Sequence, residues 1–223
     1  MHLKQISACA AIVTAAAGAA SGQTISQAVN YDWDYQGEET FLTIAQFDDM
    51  GGTRELTGVR LSVDGTYSFS FVFHNADSNA LPAFAYDPSP TVGANLNPLN
   101  ASLFLGPIAQ DTQKLESVDL TANDGVADSG PDQQFYAVDG TLIGTVDIGA
   151  GSFGEFVGNG SLLFEYSSFP LVNLPKGWFA GINFDTHVHS GVFTVEYDYV
   201  TVPAPMSAGL LGVGVLALTR RRR

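Results

Sequence analysis

Hydrophobic and polar residues alternate in 59–64, and Phe recurs at every second position in 68–74. This period of two constrains the fold more than any other feature, because side chains two residues apart lie on the same face of a strand. Each run therefore predicts a half-buried strand. Asp64-Gly65 lies between them, and this dipeptide favours the positive φ angles of a tight turn. The sequence predicts a β-hairpin over 55–74.

Other segments rich in β-branched and aromatic residues predict further strands, and no segment of the central region has a helical period. Residues 81–100 contain four prolines and predict a long loop. Short strands separated by turn residues are typical of an all-β fold, so we expect one antiparallel β-sandwich or jelly-roll-like domain over residues 23–201. The further predicted strands are 41–47, 115–120, 142–148, 161–166, 177–183 and 192–202.

The chain is strongly acidic, with 23 Asp and Glu residues against 9 Lys and Arg and a net charge of -14. Between residues 23 and 205 the imbalance is larger, because all 23 acidic residues but only four basic ones lie there, a net charge of -19. Such a surface repels phosphate backbones, which excludes nucleic acid as a partner. Divalent cations are its natural counterions.

Residues 1–22 predict a secretory signal peptide. Lys4 supplies a positive start, 6–20 form a run of apolar and small residues, and small residues precede Gln23. A lipoprotein signal ending at Cys9 is the alternative, but only eight residues precede that cysteine. Cys9 is the single cysteine. Its removal with the signal peptide would exclude disulfides, thiolate catalysis and cysteine zinc sites.

Residues 202–223 have three parts: a Pro-x-Pro motif, an apolar stretch and an arginine cluster. The uncharged stretch 206–219 is shorter than the roughly 20 residues of a spanning helix, although 200–204 could lengthen it. A buried terminal helix is the alternative, but such a helix would have no polar face for water. We predict a transmembrane helix, with the arginines on the cytoplasmic side and the acidic body outside.

This order of parts resembles a PEP-CTERM sorting signal, the tail of exported bacterial proteins that exosortases process. Two prolines match the family's motif, and Ala204 stands where the family usually has Glu. The resemblance implies that a membrane-embedded cysteine transpeptidase of the exosortase type cuts near this motif and releases or re-anchors the protein at the cell surface or in extracellular polymer. The residues concerned are Pro203, Ala204, Pro205, Arg220, Arg221, Arg222 and Arg223.

The central region resembles the choice-of-anchor E domain. That resemblance implies an exported all-β domain with no established activity. It depends on the segments 46–48, 52–53, 56–59, 74–77, 123–125 and 128–131.

One candidate metal site is a transition-metal site at Asp185, His187 and His189. Residues at i, i+2 and i+4 share one face of a strand, so a carboxylate and two imidazoles could converge on one metal. His74 could supply a further ligand. The alternative interpretation is a polar turn that leads into the last strand.

A second candidate is a calcium site in the acidic segment 119–132, because Ca²⁺ takes six to eight oxygen ligands from flexible loops. The segment is not an EF-hand, since it lacks the glycine and glutamate of that motif at the required positions. The alternative is a solvated acidic loop. Calcium is the one cofactor that the sequence suggests, and its candidate ligands are Asp119, Asp124, Asp128 and Asp132.

Residues 149–154 fit G-x-G-x-x-G and also imitate a nucleophile elbow around Ser152. Both functions require a helix that opens directly after the motif, and the glycines that follow oppose one. We therefore predict a glycine-rich hairpin rather than a nucleotide site or a catalytic serine.

The carboxylate pairs Asp32/Asp34 and Asp48/Asp49 could serve glycoside hydrolysis only at a specific separation across a cleft. Acidic turn residues are the ordinary interpretation. Trp33, Tyr35, Trp178 and Phe179 could form a platform for sugars, although core packing is commoner for such residues.

We therefore predict no enzyme activity and no catalytic residues. The expected function is that of an exported structural or interaction module at the cell envelope. One alternative is a carbohydrate-binding module for extracellular polysaccharide, and another is a glycoside hydrolase.

Overall fold

The computed structural model describes residues 13–14, 22–35, 40–83, 89–100, 103, 105–126, 130–173 and 180–202. The predicted signal peptide, apart from residues 13–14 and 22, lies outside these ranges. So does the predicted sorting tail beyond Val202.

The described residues fold mostly into antiparallel strands, which confirms the predicted all-β class. In this part of the chain a 3-10 turn at Ala150–Ser152 leads into a short helix, α1 (Phe153–Phe156). The strands are β1 (Val13–Thr14), β2 (Gln23–Asp34), β3 (Thr40–Ala45), β4 (Arg54–Asn75), β5 (Ser89–Pro98), β6 (Pro107–Thr112), β7 (Gln133–Asp147), β8 (Ser161–Asn173) and β9 (Ala180–Thr201).

The strands form two sheets, with the orders β1-β2-β9-β4-β7 and β3-β8-β5-β6. Apart from β1, the pairing is nested along the chain: β2 pairs with β9, β3 with β8, β4 with β7 and β5 with β6. The chain is therefore wound like one long hairpin whose tip is the β5–β6 connection. This winding places β9 in the middle of the first sheet and β8 in the middle of the second.

A single core fills the space between the two sheets. Phe69, Phe71 and Phe73 of β4 are fully buried, as their period of two predicted. Across the core, the ring of Phe193 in β9 lies 5.0 Å from that of Phe164 in β8. Because burying one such side chain stabilises the fold by about 1.5–3 kcal/mol, this aromatic layer is a major source of stability.

The predicted hairpin over 55–74 is wrong, because β4 is one continuous strand through Asp64 and Gly65. Gly65 pairs with Gly191 of β9 on one side and with Leu142 of β7 on the other. A β-carbon at Gly65 would collide with the hydroxyl of Tyr31, which reaches across the strand between them. The glycine is therefore needed for a close approach in mid-strand, not for a turn.

The predicted loop over 81–100 is also wrong in part, because it contains β5. Pro90 and Pro98 lie near the ends of this strand, where a missing N–H disturbs the ladder least. Between them Val92, Ala94 and Leu96 alternate inward and are buried. The prolines obscured this alternation in the sequence.

Other boundaries also differ from the predictions. Residues 115–120 form no strand and pair only through the single bridge between Leu81 and Leu120. The strands predicted over 177–183 and 192–202 are parts of one strand, β9, whose described portion begins at Ala180. Strand β7 begins earlier than predicted, and β2 and β6 were not predicted.

Two observations concern the predicted end segments. Strand β1 lies within the predicted signal peptide and pairs with Ser26 and Ile25 at the edge of the first sheet. In the described part of the chain no helix is long and apolar enough to cross a membrane. The predicted transmembrane helix falls outside that part.

Candidate functional site

Two histidines of β9 meet in the core between the sheets. His187 and His189 are both about 1% exposed and point inward. The indole ring of Trp33 contacts both imidazoles edge-on, with centroid distances of 5.0 and 5.7 Å. The ring of Tyr67 stacks on His189 at 5.7 Å. The pair is thus enclosed by aromatic rings from β2 and β4.

Hydrogen bonds from β8 fix this pair. Nε2 of His187 lies 2.8 Å from Nε2 of His189, and Oγ of Ser168 lies within 3.1 Å of both nitrogens. Ser168 donates its hydroxyl hydrogen to the carbonyl of Gly93, so its oxygen is available to accept a ring N–H of the pair. The Tyr166 hydroxyl lies within hydrogen-bond distance of Nδ1 of His189, at 3.2 Å.

Burial keeps both rings neutral. Desolvation lowers the pKa of His187 from 6.5 to about 4. Desolvation lowers the pKa of His189 to about 3, with a further contribution from a charge on His187. Because both values lie far below 7, the pair forms a neutral hydrogen-bonded network at physiological pH.

The structure corrects the predicted transition-metal site. Asp185 does not share the inward face with the two histidines, because a β-bulge shifts the register of β4 and β9 between Ser70 and Phe71. Asp185 is exposed, and its Oδ2 accepts a hydrogen bond from Ser70 at 3.3 Å. The i, i+2, i+4 rule therefore holds for the histidines and fails for the carboxylate.

His74 does not complete the pair either. It lies on β4 five positions beyond Phe69, the residue that pairs with His187, a distance of about 16 Å along the strand. Its ring packs on Gly181. Among the described residues, no group of three His, Cys, Asp or Glu side chains is placed to hold a metal ion.

The acidic segment brings two of its four predicted ligands together. A β-carbon at Gly130 would lie 2.8 Å from Oδ1 of Asp132 and 2.9 Å from Oδ2 of Asp124, so the two carboxylates face the same space. Asp119 is placed elsewhere, where its Oδ1 accepts a 2.5 Å hydrogen bond from the amide of Ala83. Asp128 lies outside the described residues.

The candidate catalytic carboxylates do not form a pair across a cleft. Asp48 and Asp49 accept hydrogen bonds from the backbone amides two residues further on, which is the geometry of turn residues. Asp32 lines a surface depression of about 370 Å³ that also contains Asp139. These two residues lie on β2 and β7, separated by β9 and β4, so their backbones are roughly 14 Å apart. Glycosidase carboxyl groups lie about 5–9.5 Å apart.

Two residues of the predicted aromatic platform, Trp33 and Tyr35, lie in different environments. Trp33 is a core residue against the histidines, whereas Tyr35 at the end of β2 is 60% exposed. Trp178 and Phe179 lie outside the described residues.

The glycine-rich segment 149–154 is not a hairpin. It forms the 3-10 turn and the first part of α1, a single turn that ends at Phe156. Phe156 is fully buried, so this turn anchors the connection between β7 and β8 in the core.

Sequence reasoning missed the partners of the histidine pair. Ser168 and Tyr166 belong to an inward-facing series with Phe164, and the strand predicted over 161–166 ended before Ser168. Extending the period of two by one more step would have placed Ser168 in the core.

Comparisons with known proteins give no family. Neither a family model nor a curated protein matches the chain. Among solved structures, the chain is similar to "Structure of infectious bursal disease virus Gx strain", with 9% identity and a TM-score of 0.21. The match covers 83% of this chain and 38% of that one, so the chain spans less than two thirds of the length of that protein.

Proposed function

We propose that this chain is an exported, non-catalytic structural or interaction module. In this proposal residues 1–22 are a signal peptide, 23–201 are a jelly-roll-like β-sandwich, and 202–223 are a PEP-CTERM-like sorting tail that an exosortase-like enzyme processes. The tail holds the body outside the cytoplasm before processing, and the processed protein stays at the envelope or enters extracellular polymer. The nested strand pairing supports the jelly-roll assignment.

The pairing of β2 with β9 is the observation that carries the proposal. The two strands are paired from Gln23 opposite Tyr199 to Asp34 opposite Val188. The predicted leader therefore enters, and the predicted tail leaves, at the same end of the same sheet. Within the described residues, removing 1–22 would take away β1, a two-residue edge strand, and Gly22, and would leave β2 paired with β9.

The arrangement of the titratable groups supports a non-catalytic role. The histidine side chains are about 1% exposed, so little of either ring is accessible to a substrate, although His189 belongs to the lining of the depression that contains Asp32. The exposed carboxylates of Asp32 and Asp139 lie on strands that are not neighbours. A hydrolase would need such groups together in an accessible cleft.

Carbohydrate binding is the second candidate, and one surface favours it. On the outer face of the second sheet the ring of Phe169 covers Gly93. Asn95 and Asn97 lie on the same face of β5 and are partly exposed. An aromatic ring beside planar amides suits a sugar, and this candidate predicts that Phe169→Ala lowers retention on extracellular polysaccharide.

Cell fractionation in the native host tests the proposal. We expect the wild-type protein in the envelope or the medium. A variant with Arg220→Ala, Arg221→Ala, Arg222→Ala and Arg223→Ala together should be sorted differently, because its tail lacks the charges that stay on the cytoplasmic side. The matched control is Arg54→Ala with Arg60→Ala, which removes two basic residues from the body. Wild-type protein in the cytoplasm would overturn the proposal.

A further inference from the structure

A depression of about 340 Å³ lies at the end of the first sheet where β4, β7 and β9 meet the acidic segment. Most of its lining is polar, and none of the basic residues Arg54, Arg60 and Lys114 belongs to it. The described residues that line it are His74, Asn123, Gly125, Val126, Asp132, Gln133 and Asn183.

Asp132 is the unusual member of this lining. The residue is only 2% exposed, and its Oδ1 is buried without a hydrogen-bond partner in the described part of the chain. Its backbone carbonyl accepts a 2.8 Å hydrogen bond from the amide of Asn75, a fully buried residue, so its position is fixed. A buried carboxylate oxygen with no partner is costly unless a proton or a cation neutralises the group.

A second carboxylate approaches the same space. Oδ2 of Asp124 and Oδ1 of Asp132 both lie within 3 Å of the position that a β-carbon at Gly130 would occupy. Gly130 has a φ of 128°, a conformation that side chains with a β-carbon rarely adopt. The glycine thus permits both the turn and the approach of the two carboxylates.

The hydrogen bonds of the loop around Asp124 leave one oxygen of its carboxylate on the side of Asp132. Oδ1 of Asp124 accepts a 2.8 Å hydrogen bond from the amide of Val126, and Oδ1 of Asn123 accepts one of 2.7 Å from Gly125. These bonds occupy one oxygen of Asp124 and leave Oδ2 on the side of Asp132. Two like charges facing each other are unfavourable without a counterion.

We infer that this depression binds one Ca²⁺ ion, with Asp132 and Asp124 as its charged ligands. Hard cations of this kind take carboxylate, amide, carbonyl and water oxygens, and the amide side chains of Asn123 and Asn183 line the same space. Transition metals suit it less, because they prefer imidazole and thiolate ligands. His74 lines the depression, but no group of three His, Cys, Asp or Glu side chains among the described residues is placed to hold a metal ion. The ion is structural: it fixes residues 121–126 and 130–133 against the end of β4.

Isothermal titration of the full chain in mild detergent with CaCl₂ tests this site. We expect one site with a Kd of about 0.1–1 mM, the range of extracellular calcium modules, and a rise in Tm when CaCl₂ is added. Asp132→Asn should weaken binding at least about tenfold, because ligand charge sets the affinity. Asp49→Asn is the matched control, since Asp49 is also a loop carboxylate that accepts a backbone amide, and it should bind as the wild type does.

Asp124→Asn keeps the test decisive if Asp132→Asn does not fold, because Asp124 is exposed and its replacement leaves the core intact. It should also weaken binding. Two results would overturn the site: no binding heat and no Tm change up to about 10 mM CaCl₂, or equal affinities for the wild type and the folded variants. The first result would mean that the depression holds no Ca²⁺ ion.

Discussion

Nε2 of His187 and Nε2 of His189 lie 2.8 Å apart inside the core, and the hydroxyl of Ser168 bridges them from the opposite sheet. Two protonated imidazoles could not occupy this space, because their charges would repel and no buried acid faces them at hydrogen-bond distance in the described residues. Nδ1 of His187 has no hydrogen-bond partner in that part of the chain. The pair therefore holds the sheets together only while it is neutral.

This arrangement predicts acid sensitivity. The pKa values of His187 and His189 in the folded protein, about 4 and about 3, lie below the ordinary value of 6.5, so protons bind the unfolded chain first as the pH falls. The stability that depends on the neutral rings is present above about pH 6.5 and is lost as the pH falls towards 4. Measurements of Tm between pH 7 and pH 5 should show this decline.

The variants His187→Gln and His189→Gln isolate the contribution of the two histidines to this decline. Each variant should be less stable at pH 7 and should show a smaller decline of Tm between pH 7 and pH 5. Equal declines in the wild type and both variants would contradict the role of the pair.

The second prediction concerns Gly65 in the middle of β4. Gly65→Ala should destabilise the fold by about 1–3 kcal/mol or more, because the added methyl group would overlap the Tyr31 hydroxyl and the carbonyl oxygen of Ser190. Urea denaturation measures the change. Gly149→Ala is the control, since a β-carbon there meets nothing within 4 Å, and it should change stability by less than about 0.5 kcal/mol. Equal effects of the two substitutions would refute this explanation of the strand.

The third prediction concerns Asn75, the buried residue at the end of β4. Its side chain donates 2.7 Å hydrogen bonds to the carbonyls of Asn79 and Thr121 and accepts one of 2.9 Å from the amide of Asp77. Asn75→Ala would remove these three hydrogen bonds, at a cost of about 0.5–1.5 kcal/mol for each.

Thermal and urea unfolding of Asn75→Ala, compared with Asn30→Ala, measure this cost. Asn30 is exposed on β2, and its replacement should change stability little. A loss of less than about 1 kcal/mol in the free energy of unfolding of Asn75→Ala would show that the hydrogen bonds of the Asn75 side chain do not stabilise the loops that contain Asp77 and Thr121.

The fourth prediction concerns Arg60, which bridges Asp147 at 2.8 Å and Glu196 at 3.5 Å on the outer face of the first sheet. All three side chains are substantially exposed. Arg60→Ala should therefore lower the stability only slightly at moderate salt. Urea unfolding at low and high NaCl measures this cost, and a loss that is large and independent of salt would be unexpected for an exposed pair.

The fold class was predictable from the period of two in the sequence, whereas the lengths of the long strands were not. Asp64-Gly65 has the local chemistry of a turn, but Tyr31, 34 positions earlier in the chain, determines what Gly65 does. A contact between residues so far apart in sequence leaves no local pattern. The same holds for the β-bulge that moves Asp185 away from the histidines, because the shift is set by β4.

The candidate sites were predictable in part for a similar reason. His187 and His189 share a strand, so their common face followed from their spacing. Asp124 and Asp132 share a loop, and the glycine between them was visible in the sequence, but the burial of Asp132 depends on Asn75 in a distant strand. Residue spacing predicts which groups share a face, and tertiary packing decides which of them is left without a partner.

The most direct test of the account is the intact mass of the protein recovered from the envelope and the medium of its own host. We expect a mature chain that begins near Gln23 and ends near Pro205, because the proposed export would remove the signal peptide and the sorting tail. A chain of all 223 residues recovered from the cytoplasm would contradict it.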